Sequence, residues 1–102
     1  MGNVVIQVDP PIKGHKGQIS RIEVRPPSFD EYQEHGDAII WVPIDKGRAF
    51  PSENPAVIKE YSKILVVDVD PLLLRQGGYK LAEAIKEAIL SFFLPAAAAP
   101  EA

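Results

Sequence analysis

The chain has no cysteine among its 102 residues. That excludes a disulfide framework, a thiolate zinc site and a cysteine nucleophile. Histidine is nearly as scarce, and His15 and His35 are too few to build a histidine metal centre. No excess of positive charge is present either. Eleven Lys and Arg stand against fourteen Asp and Glu, for a net charge of −3 with His neutral. A protein that binds by neutralising phosphates leans the other way. Long hydrophobic runs are also missing. The greasiest stretch, residues 84–94, is interrupted by Lys86, Glu87 and Ser91. A membrane-spanning helix needs roughly 18 apolar residues. The first nine residues have no basic start ahead of an apolar run. They open Met1-Gly2-Asn3, but Ile6 stands where an N-myristoylation signal has Ser or Thr. The expectation is a cytoplasmic chain with no membrane and no nucleic acid among its partners.

What is present is ordinary globular composition, 46% hydrophobic and 25% charged. The length suits one domain with a modest core. Residues 1–94 are expected to form a single α+β domain. Residues 95–102 read Pro-Ala-Ala-Ala-Ala-Pro-Glu-Ala and hold no large side chain. Such a segment buries too little to offset its ordering entropy, so a flexible tail is expected.

Hydrophobic periodicity sets the elements. Val4, Ile6 and Val8 alternate with Val5, Gln7 and Asp9, which predicts a strand ended or kinked at Pro10-Pro11. Gly14-His15-Lys16-Gly17 predicts a turn, and Ile22 with Val24 a second strand pairing antiparallel with the first. After Pro26-Pro27, Ser28 and Glu31 have capping-box spacing, and His35-Gly36 is a stop signal, so a short helix covers 29–35. Residues 38–50 read either as a second hairpin, with strand character at Ile39 to Val42 and a turn at Asp45-Lys46-Gly47, or as an ordered loop. Asn54-Pro55 opens an amphipathic helix to about Val66, with Val57, Ile58, Tyr61, Ile64 and Leu65 on one face. Asp70-Pro71 starts a short helix that Gly77-Gly78 ends. A last helix runs from about Tyr79 to Leu94, with Leu81, Ile85, Ala88, Ile89 and Phe92 on one face. The fold expected is α+β, an N-terminal antiparallel β-hairpin followed by three or four helices packed on one face.

Reactive constellations are weak. Asp30, Glu31, Glu34 and Asp37 suit a helix dipole and a solvated face, and they lack calcium-loop spacing. His15 sits at a turn tip without an orienting partner, and His35 is explained by its helix terminus. Gly14-x-x-Gly17 and Gly77-Gly78 lack the strand–glycine–helix context of a phosphate loop. Lys13, Lys16, Arg21 and Arg25 make the first hairpin basic, a solvated face or a docking surface for an acidic partner, with no aromatic to stack bases. The expectation is no enzyme, no cofactor and no metal. A small hydrolase built on His15 or His35 is the catalytic rival. The unusual feature is the end of the last helix. Leu90 and Leu94 point into its otherwise polar side and Phe93 lies on the margin, so the final turns are apolar almost all round. Contiguous apolar surface of that kind marks an interaction site.

The order of these pieces resembles a known family. Arg25-Pro26-Pro27-Ser28-Phe29-Asp30-Glu31-Tyr32, then Gly36-Asp37, then Val69-Asp70-Pro71 and a helix closing on Phe92-Phe93 are similar to the small tail assembly chaperones of contractile-tailed phages and prophages. The likeness spans about residues 4–94, and residues 41–52 have no counterpart in it. It implies a non-enzymatic role in the cytoplasm of a bacterial host. The partner it implies is the tape measure protein or another phage tail protein, an aggregation-prone helical client shielded while the tail tube polymerises. It also implies that a longer frameshifted form accompanies the short one. Helical geometry names Ile89, Leu90, Phe93 and Leu94 as partner-binding residues, with Ile58 and Tyr61 as groove walls. The competing reading is an oligomeric structural or adaptor protein whose C-terminal Phe-rich helix forms a homodimer interface.

Overall fold

The computed structural model describes residues 2–94, and the expected tail at 95–102 lies outside them. Strands β1 (Val4–Gly14) and β2 (Gly17–Val24) form an antiparallel hairpin across His15-Lys16. Pairing runs from Val4↔Val24 to Gln7↔Arg21 and resumes at Ile12↔Ile19. Between these, Val8 to Pro11 bulge against Ser20. Proline has no N–H for a ladder, so Pro10-Pro11 fall where the ladder is interrupted. The strand is therefore kinked there and continues. Val8 and Ile12, on either side of the prolines, are both buried with Ile22 and Val24.

Helix α1 (Phe29–His35) begins as its capping box predicts. Ser28 Oγ accepts the Glu31 N–H at 3.2 Å, and the Glu31 carboxylate accepts the Ser28 N–H at 2.9 Å. The same carboxylate receives two hydrogen bonds from the Arg25 guanidinium, at 2.8 and 2.7 Å. Arg25 also donates to the Ile64 carbonyl at 3.2 Å.

Of the two readings of residues 38–50, the hairpin is the one observed. Strands β3 (Ile39–Pro43) and β4 (Ala49–Glu53) pair antiparallel from Ile39↔Glu53 to Pro43↔Ala49. The Ile44 N–H donates to the Arg48 carbonyl and the Asn54 N–H to the Ala38 carbonyl, each at 2.9 Å. Bonded pairs therefore fall at the even positions of β3. Pro43 and Pro51, in the pairs Pro43↔Ala49 and Trp41↔Pro51, occupy non-bonded positions and cost no ladder bond.

Helix α2 (Pro55–Ile64) starts with proline in its first turn, although the Asn54 side chain makes no capping bond. It stops short of the expected Val66. There the backbone becomes strand-like and meets β2. Val66 bridges Val24, the Arg25 N–H donates to the Leu65 carbonyl, and the Val67 N–H donates to the Glu23 carbonyl, both at 2.9 Å. A β-branched pair, Val66-Val67, favours that extended exit. A 3₁₀ helix (Pro71–Gly77) follows, capped by Asp70, whose carboxylate accepts the Leu72 N–H at 2.9 Å. The Gln76 amide bonds both the N–H and the carbonyl of Lys13, at 2.8 and 2.9 Å, and so ties this helix to β1. Helix α3 (Gly78–Phe93) begins at once. Both glycines are needed. A Cβ on Gly77 would come within 2.5 Å of Leu81 side-chain atoms, and Gly78 has φ 68°.

The α+β expectation holds, with a second hairpin added. The core joins Val8, Ile12, Ile22 and Val24 of the first hairpin to Ile58 and Tyr61 of α2, Leu65, and Leu81, Ile85, Ala88 and Ile89 of α3. Four of the five residues assigned to the inner face of the last helix are fully core, and Phe92 packs against them half-buried.

The Arg25 guanidinium holds the Glu31 carboxyl well below the usual carboxylate range, from 4.5 to about 2. A depressed acid stabilises the fold above its unfolded pKa, and that contribution disappears as pH falls from about 4.5 toward about 2. Urea unfolding across that window should show the native chain losing about 1–2 kcal/mol more than Glu31→Gln, after allowing for solvent screening of a partly exposed pair.

Candidate functional site

The expected partner-binding residues do not form one surface. Tyr61 and Ile89 are each 0% exposed, and Ile58 is buried. The Tyr61 hydroxyl donates to the Gly36 carbonyl at 2.7 Å, its ring meets His35 edge-on at 5.5 Å, and Phe93 lies 5.5 Å away on another side. Burial pushes the Tyr61 hydroxyl pKa up. Tyr61 and Ile89 are thus core residues of the protomer, which corrects their expected place on a docking surface. Phe93 also stacks on Tyr32 of α1 at 6.1 Å. Leu90 and Phe92 pack half-buried against the core. Leu94, 43% exposed, is the most open of the group. The grease at the end of α3 is largely covered by α1 and α2, which a helical wheel does not display.

The sequence-level chemistry is likewise absorbed into the fold. Glu31 serves Arg25 and its cap, and the Asp37 carboxylate accepts the Ile39 N–H at 3.0 Å. His15 Nε2 lies 3.5 Å from an Asp70 oxygen, both exposed. Arg21 pairs with Glu23 at 3.1 Å. Among the described residues there is no group of three or more potential metal ligands, and no helix is long and apolar enough to cross a membrane.

Two other surfaces are open. The first is a groove of about 690 Å³ between α2, the 3₁₀ helix and α3. That volume falls within the range of ordinary binding clefts. Its floor is apolar: Ile58 from α2, Leu74 from the 3₁₀ helix, Ala82 and Ile85 from α3. Ile58 lines this groove, which is not the one expected beside Ile89, Leu90, Phe93 and Leu94, and Tyr61 is not among its lining residues. The walls carry Lys59 and Lys63 of α2, Arg75, and Lys86 of α3, with Glu53 and Glu83. Tyr79, 75% exposed, stands at one lip. The i, i+4 spacing of Lys59 and Lys63 puts them on one helical face, a signal legible in sequence. That the 3₁₀ helix brings Leu74 and Arg75 opposite them was not.

The second surface is the β3–β4 ribbon. Its register places Ile40, Val42 and Phe50 on one face and Trp41, Pro43 and Pro51 on the other. Ile40, Trp41 and Phe50 are exposed, as is Ile44 just beyond the strand. Both faces of a two-stranded ribbon are thus apolar, and this chain covers neither fully. Pro51 removes an outward N–H from the β4 edge, whereas Trp41 keeps its own on the β3 edge. Comparison with protein-family models, curated proteins and solved structures finds no match to this chain.

Two measurements check this distribution. Leu90→Ser should cost about 1–3 kcal/mol of stability in urea, and Leu94→Ser under about 0.5 kcal/mol, because only the first loses core packing. Trp41 is the single tryptophan and is 47% exposed. Its emission should be red-shifted and quenched by iodide in dilute protein. A blue-shifted, iodide-protected signal at all concentrations would mean that the ribbon is already covered.

Proposed function

We propose that this chain is a non-catalytic tail assembly chaperone that shields an apolar helical client, with a phage or prophage tape measure protein as that client. The observation that carries the reading is the apolar-floored groove between α2, the 3₁₀ helix and α3. Helical walls from α2 and α3 over an apolar floor accept the apolar stripe of another helix, the helix-in-groove mode of recognition. The Arg25-to-Tyr32 junction and the closing Phe92-Phe93 pair support it through the resemblance. In this fold both have structural work, Arg25 and Glu31 at the junction and Phe93 against Tyr32 and Tyr61.

One observation favours a second reading, an oligomeric adaptor. Phe92 and Phe93 pack within the protomer, so a homodimer through the C-terminal helix has little left to bury. The β3–β4 ribbon, apolar on both faces and open at Trp41, is the better self-association surface.

The test mixes the purified chain with a long helical tape measure segment that scatters light when alone. The chaperone reading expects the scattering to fall and the two to co-elute, with the free chain monomeric across concentration. A tight dimer that leaves the client's aggregation unchanged overturns it and favours the adaptor.

A further inference from the structure

The groove floor says that the occupant is apolar, and its walls say more. Four basic residues and two acidic ones line it, in a chain whose net charge is −3. The local field therefore opposes the overall charge. Of the two acids, Glu53 is paired with Lys86 at 3.2 Å, while Glu83 on α3 has no ion pair among the described residues. Lys63 has Glu60 at 3.4 Å, on an exposed surface where such a pair is weak. Lys59 and Arg75 have no ion pair among the described residues. They come from different elements, Lys59 from α2 and Arg75 from the 3₁₀ helix, and both line the groove with Ile58, Leu74 and Ile85.

We propose that the groove selects a partner helix whose apolar stripe is flanked by carboxylates, an acidic amphipathic helix of another protein. The stripe would lie on Ile58, Leu74 and Ile85, and the flanking carboxylates would reach Lys59 and Arg75. A lysine-flanked helix with the same stripe meets like charges at both residues, which repels a wrong partner at several sites together. The apolar floor sets this groove apart from a phosphate site, since a polyanion without a hydrophobic face leaves the floor wet. Tyr79 at the lip is an exposed aromatic placed to clasp the bound helix. The inference rests on the chaperone reading for its biological client, but it concerns charge and is separable from that reading.

The probe is a fluorescein-labelled synthetic helix of about 18 residues, about five turns, with leucines on one face and glutamates elsewhere. A second peptide replaces each glutamate with lysine. Anisotropy with the full chain should show saturable binding of the glutamate peptide, weakening as salt rises, and at least about tenfold weaker binding of the lysine peptide. Lys59→Glu with Arg75→Glu should reverse that order. Ala82→Arg, at an exposed position of the lining, fills the groove while adding to its positive charge, so the steric block opposes the electrostatic gain, and it should abolish binding of the glutamate peptide with the circular dichroism spectrum unchanged. Equal affinity for both peptides overturns the proposal, as does no binding of the glutamate peptide or binding unaffected by these variants. So does a single-stranded oligonucleotide that binds through Lys59 and Arg75 when the glutamate peptide does not. In the scattering assay, a client held soluble by the native chain and by Ala82→Arg alike removes the groove and leaves the chaperone. A bound peptide with an unprotected client removes the chaperone and leaves the groove.

Discussion

The bidentate contact between Arg25 and Glu31 is the constraint on which the arrangement of elements depends. Arg25 leaves the end of β2 and reaches the first turn of α1 with its two terminal nitrogens. One of these also bonds the last carbonyl of α2, and the Arg25 backbone N–H bonds the carbonyl of Leu65. The consecutive elements β2 and α1 thus meet the more distant α2 at one side chain. Glu31 takes part in two devices, the capping box and the ion pair, so helix start and tertiary docking are set by the same carboxylate. Arg and not Lys suits this place, because a planar fork matches two carboxylate oxygens and still offers a donor to a carbonyl. The two prolines between Arg25 and Ser28 hold the spacing, since each has its φ locked.

That junction decides how α3 is covered. With α1 docked against the end of α2, Tyr32 and Tyr61 present their rings to Phe93. Tyr61 can be wholly buried because the Gly36 carbonyl accepts its hydroxyl. The apolar end of α3 thus becomes part of the core's margin. Among the described residues, further uncovered apolar surface lies on the β3–β4 ribbon and in the groove beside the first half of α3, with Phe29 and Leu72 exposed outside both. These two surfaces differ in kind. The ribbon is apolar on both faces and offers backbone at one edge, which suits β-pairing or self-association. The groove is apolar below and basic at its walls, which suits a helix with charge of the opposite sign.

The legible features were those written within a few residues of one another. Ser28 and Glu31 announced α1, Pro55 and Asp70-Pro71 announced two helix starts, and the spacing of Leu81, Ile85, Ala88 and Ile89 announced the buried face of α3. The second hairpin was only half legible, because Pro43 and Pro51 argue against strands until the register shows that both lie at non-bonded positions. Pro10-Pro11 misled less, as a bulge is one of the kinks they allow. Of the candidate site residues, Ile58 lines a groove, but beside Leu74, Ala82 and Ile85 and with none of Ile89, Leu90, Phe93 and Leu94. Ile89 and Tyr61 were not surface residues, because an apolar position on a helix says that it is covered without saying by what.

Local pattern is enough for the α+β class, the helix starts and the helix faces that turn inward, because capping and periodicity act over three or four residues. Composition alone is enough for the want of thiols and of any surplus positive charge. Which apolar residues remain uncovered is set by packing between distant segments. Exposure depends on neighbours brought together from far along the chain: Tyr32 and Tyr61 onto Phe93, and Leu74 and Arg75 across from Lys59. Those placements follow from long-range packing around Arg25, Tyr61 and Ile89, and no local window of residues contains that information.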